Sequence, residues 1–109
     1  MNDQERKEKY FQLCKQYHEF TTFLGAYIAV AHHEGLYNNK DLVVDYVKET
    51  TNTLRLKAIE EGTEVLNLSP FPWKIISKLA QRHFKNSEEA KQWLQEIIEI
   101  LQSTVITEN

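Results

Sequence analysis

Cysteine, proline and glycine are scarce in this chain. A single cysteine, Cys14, leaves no internal disulfide, so the sequence does not read as a stapled secreted scaffold, and a reducing cytoplasm is the expected compartment. Two prolines and three glycines in 109 residues supply little turn material, which argues against a many-stranded sandwich or barrel and in favour of helices. The glycines stand apart at 25, 35 and 62, so no local loop cradles a phosphate, and nucleotide binding is not expected. A basic excess is also missing. Thirteen Lys and Arg against sixteen Asp and Glu give a net charge of −3, the wrong balance for a dedicated phosphate-backbone binder. No apolar run reaches the roughly 20 residues that span a bilayer. The richest stretch, Phe20 to Ala31, ends in Ala29, Val30 and Ala31 and so imitates a signal-peptide cleavage site. It has no positively charged leading segment, and it reads as helix core.

The 41% hydrophobic and 27% charged fractions suit a globular protein, and a chain of this length reads as one helical domain over 1–109. Its strongest pattern is the three-four alternation of Tyr10, Leu13, Tyr17, Phe20, Leu24, Tyr27 and Ala31. That seam predicts a helix from about Gln4 to Glu34. Such a helix is roughly 45 Å long, while a compact chain of this size is only about 34 Å across. It must bend, with Gly25 the weakest helix former, or project. At 100° per residue Phe23, Ala26 and Val30 fall nearly opposite the seam, with Phe11 between. Either the helix lies at the centre of the fold or this second face meets a partner. Phe11, Phe23, Ala26 and Val30 are therefore the candidate partner-binding residues.

Three further helices are expected. One runs from about Lys40 to Glu61, capped by Asn38 or Asn39, stopped by Gly62 and weakened midway by Thr50, Thr51, Asn52 and Thr53. After a connector over Thr63 to Leu68, Ser69 and Pro70 suggest the cap and first residue of a helix from Pro70 to Phe84. Asn86 or Ser87 caps a last helix, with Asn86 and Glu89 at capping-box spacing, and its inner face holds Trp93, Leu94, Ile97, Ile100 and Leu101. The fold class is thus all-α, a four-helix bundle or bundle-like array with a long N-terminal helix.

Chemistry-bearing constellations are thin. Cys14 and His18 stand at i and i+4, near enough to share a metal with a third ligand such as His83. No glycine-rich elbow supplies an oxyanion hole for a catalytic pair. His32 and His33 are sequence neighbours that point about 100° apart on a helix, and Glu-x-x-His is absent, so neither a catalytic nor a metal site is expected. Lys74, Lys78, Arg82 and Lys85 form a basic stripe on the third helix, able to follow a phosphate backbone or to serve as a solvated face. The sequence therefore points to a non-catalytic protein–protein interaction module, an adaptor, inhibitor or assembly subunit. It is expected to self-associate as a homodimer through the first helix and to need no cofactor. A nucleic-acid-binding regulator using the basic stripe is the alternative, and a small metal-binding helical protein the third.

Overall fold

The computed structural model describes residues 3–29 and 39–104, and every regular element among them is helical. In chain order these are α1 (Asp3–Gln16), α2 (His18–Phe23) with a π-helical turn at Leu24–Ile28, α3 (Asn39–Glu49), α4 (Asn52–Leu66), α5 (Trp73–Ala80) and α6 (Ser87–Ser103). The α2 and π-turn segment is the hub. It packs against α1, α3, α4 and α5, and α6 closes the opposite side over α3, α4 and α5.

The long N-terminal helix expected from the seam is interrupted twice within the described residues. Tyr17 leaves helical geometry at φ −118° and ψ 56°. The turn at Leu24–Ile28 then widens, with the Ala29 N–H donating to the Leu24 carbonyl five residues back. The first break frees the Phe20 N–H, which donates to Glu61 Oε1 at 3.0 Å. Glu61, only 6% exposed, thus satisfies a buried helix-start donor that would otherwise be unpaired. On the carbonyl side, the Thr21 hydroxyl donates to Tyr17 O at 2.9 Å. The wider π turn also shifts the residues that follow it off the uniform 100° wheel, and α2 lies at the centre of the fold. Phe23, Leu24 and Ile28 are all fully buried, so Phe23 joins the core instead of standing opposite the seam. The predicted end of this helix at Gly35 lies outside the described residues.

The second predicted helix is two helices. Thr51 in extended geometry ends the first, and its hydroxyl accepts the Leu54 N–H at 3.1 Å as the N-cap of α4. The break turns Leu54 outward to 42% exposure, while Leu42, Val43, Tyr46, Val47 and Ala58 remain buried. Gly62 does not stop α4, which runs on to Leu66 and takes in most of the expected connector. It lies where α4 crosses α2 and α6, against Phe20 and Ile98. The next helix starts later than Ser69 and Pro70 suggest, at Trp73, because a residue before proline is driven out of helical geometry and Phe71 precedes Pro72. It also ends earlier, at Ala80, where Gln81 adopts the left-handed conformation at φ 51°. The Arg82 N–H returns to Ser77 O at 3.0 Å and the Gln81 N–H to Lys78 O at 3.4 Å, the pairing of a Schellman cap. The Ser77 hydroxyl also donates to the Arg82 carbonyl. Of the two candidate caps, Asn86 caps α6, its Oδ1 accepting the Glu89 N–H at 2.9 Å. Glu89 reaches back to the Lys85 N–H at 3.3 Å.

Candidate interaction surfaces

The four residues read as one partner-binding face are separated by the two helix breaks. Phe23 is buried within a single chain, its ring 4.6 Å from that of Tyr46. The structure therefore corrects its assignment, since α2 covers its second apolar side by sitting at the centre of the fold. Ala26 is exposed on the π turn. Val30 lies outside the described residues. Phe11 stands on α1 with 69% of its surface exposed, edge-on to Tyr10 at 6.2 Å. The opposite stripe of α1 holds it to the body, with Leu13 and Tyr17 buried and Tyr10 and Cys14 packed at the margin. Partial burial and then the neighbouring Cys14 raise the Tyr10 phenol above its ordinary pKa.

The basic stripe is dismantled in a different way. Lys74 and Lys78 are exposed on α5, and Lys78 Nζ lies 5.3 Å from the centre of the Tyr10 ring. Arg82 and Lys85 follow the end of that helix. The Arg82 guanidinium turns inward over Trp93, 5.7 Å from its ring centre, so the four cations do not share one helix face. The Cys14, His18 and His83 set fares no better. Tyr17 interrupts the helix between the first two, and His83 is exposed on the loop before α6. Among the described residues no group of three or more His, Cys, Asp or Glu side chains is placed to hold a metal ion. His32, His33 and Glu34 are outside those residues.

Two features escaped the sequence reading. The first is a tyrosine–carboxylate pairing that fastens α2 and the π turn to α3. Tyr46 Oη donates to Glu19 Oε1 at 2.5 Å and Tyr27 Oη to Glu49 Oε2 at 2.9 Å. The two rings meet edge to face with centres 5.0 Å apart. Burial first, then the hydrogen bond to Glu19, pushes the Tyr46 phenol well above its ordinary pKa, and Tyr27 rises for the same kinds of reason, with Glu49 as its partner. The second is a groove of about 220 Å³ between α1 and the 68–72 segment before α5, floored by Leu13, Tyr17, Leu68 and Ile75. Its α1 wall was visible in principle, because Lys9, Gln12, Leu13 and Gln16 have the i, i+3, i+4, i+7 spacing of one helix face. What the sequence hid was the non-helical Pro70 to Pro72 stretch that forms the other side.

Comparison with protein-family models, curated proteins and solved structures gives no match. None of the described helices is long and apolar enough to cross a membrane.

Proposed function

We infer that the protein is a non-catalytic interaction module that self-associates through α1. In this reading the helices form a bundle-like array in which α1 is the contact arm. The observation that supports it is Phe11, exposed on a helix whose opposite stripe already anchors it to the body. Burying a phenylalanine side chain contributes roughly 1.5–3 kcal/mol. A two-fold contact gains this twice, because each copy presents the same patch. Association itself costs about 4 kcal/mol or more, so this gain supports at most a weak, reversible dimer that needs the surrounding α1 contacts as well, and not an obligate one. Among the described residues Ala26 is the other exposed member of the candidate set, and Phe23 no longer belongs to it.

Analytical ultracentrifugation across micromolar to millimolar protein tests this reading. The wild-type chain is expected to show a concentration-dependent monomer–dimer equilibrium. Phe11→Glu should remain monomeric throughout, with an unchanged circular dichroism spectrum. A wild-type chain that stays monomeric at millimolar concentration would refute self-association.

A further inference from the structure

The groove beside α1 has a definite capacity. A cavity of about 150 Å³ accepts a benzene ring, whereas sites for drug-sized ligands run about 300–1,000 Å³. At about 220 Å³ it suits one large apolar side chain rather than a cofactor. Leu13, Leu68 and Ile75 give it an apolar floor, and Pro70 and Pro72 add walls without backbone donors. Lys9, Gln12, Gln16, Tyr17 and Ser69 supply the polar part of the lining.

Gln12 and Gln16 lie one helical turn apart in that lining, a rise of about 6 Å. Alternate residues of an extended chain repeat every 6.4–6.8 Å or so, so the two amides match successive exposed peptide groups of an extended segment. Lys9 is the one charged residue in the lining, and no carboxylate is present there. Glu5 and Glu8 precede Lys9 on α1 without lining the groove. Two more exposed lysines stand on α5, the helix that carries Ile75. Lys74 Nζ lies 5.8 Å from the centre of the Trp73 ring, outside the lining, whereas Lys78 stands one turn beyond Ile75 with its Nζ against the ring of Tyr10 on α1. A single-stranded nucleic acid would want accessible rings for stacking, but Tyr17, the aromatic residue in the lining, is buried.

We propose that this groove binds an extended acidic segment of a partner protein, seating one apolar side chain between Leu13 and Ile75 and holding its flanking carboxylates with Lys9 and Lys78. The site is separate from the Phe11 face and does not depend on self-association. Selection from a phage-displayed library of random dodecapeptides tests it, followed by titration of a synthetic consensus peptide against the full chain. Enriched sequences should carry one large apolar residue flanked by at least two Asp or Glu. The consensus peptide should bind more weakly as salt rises. Lys9→Glu and Gln12→Glu are exposed substitutions that leave the helical spectrum intact, and each should weaken binding by about tenfold or more, equivalent to about 1.4 kcal/mol. Phe11→Glu should bind the peptide as the wild type does. Failure to enrich any peptide, enrichment of sequences without carboxylates, or a consensus peptide that binds Lys9→Glu undiminished would each overturn the proposal.

Discussion

Gly62 sits inside α4, and a Cβ there would come within 3.1 Å of Ile98 Cδ1 and of two ring atoms of the fully buried Phe20. Alanine improves helix propensity by about 1 kcal/mol, but overpacking a filled core costs typically 1–3 kcal/mol. Because Phe20 has no room to retreat, Gly62→Ala is expected to lower stability by about 1 kcal/mol in urea unfolding, against the propensity trend. Tyr46 supplies a pH test. Its phenol is held protonated in the fold by burial and by Glu19, whereas in the unfolded chain it ionises near pH 10. Below that pH the stabilisation is fully present. As pH climbs past about 10, the unfolded chain releases a proton that the folded chain retains, and stability falls. Tyr46→Phe should therefore flatten the alkaline limb of a stability–pH curve, even though it removes a hydrogen bond at neutral pH.

At the scale of elements, the helical class, the Asn86 cap and the weak point at Thr50–Thr53 were legible because each rests on local chemistry. The interruption at Tyr17 was not. Nothing in residues 14–20 signals it, and its compensation comes from Glu61 on another helix. Phe23 was misplaced because the wheel left two readings open, a central helix or a partner-covered face, and only packing from elsewhere in the chain, Tyr46 included, decides between them. The groove was half legible, with its α1 wall readable and its proline wall mistaken for the start of a helix. The end of α5 offers a further test. Gln81 holds a left-handed conformation that costs a non-glycine residue roughly 1–2 kcal/mol, and glycine gives back roughly 0.5–1 kcal/mol of that through its larger unfolded-state entropy. Gln81→Gly should raise the melting temperature by a few degrees, as differential scanning calorimetry would show.

Across the whole molecule, packing is uneven. The described residues span 50 × 27 × 21 Å, and their centre is α2 with the π turn, whose Phe20, Phe23, Leu24 and Ile28 are entirely enclosed. α1 packs chiefly against α2 and carries Leu13 as its one buried residue. Local opening is easiest where buried apolar contacts are few. Native-state hydrogen exchange should therefore show α1 amides exchanging well before those of α6, while the Phe20 amide is among the slowest. Equal protection of α1 and α6 would contradict this gradient.

The bond from Phe20 to Glu61 joins groups 41 residues apart, and the six residues of α2 are far too few to hold a helix unaided. During synthesis, at about 5–20 residues per second, Phe20 is made roughly two to eight seconds before the carboxylate that will receive its amide. For that interval the future centre of the protein is nascent chain without its keystone, and it takes shape only when the later half arrives to close around it.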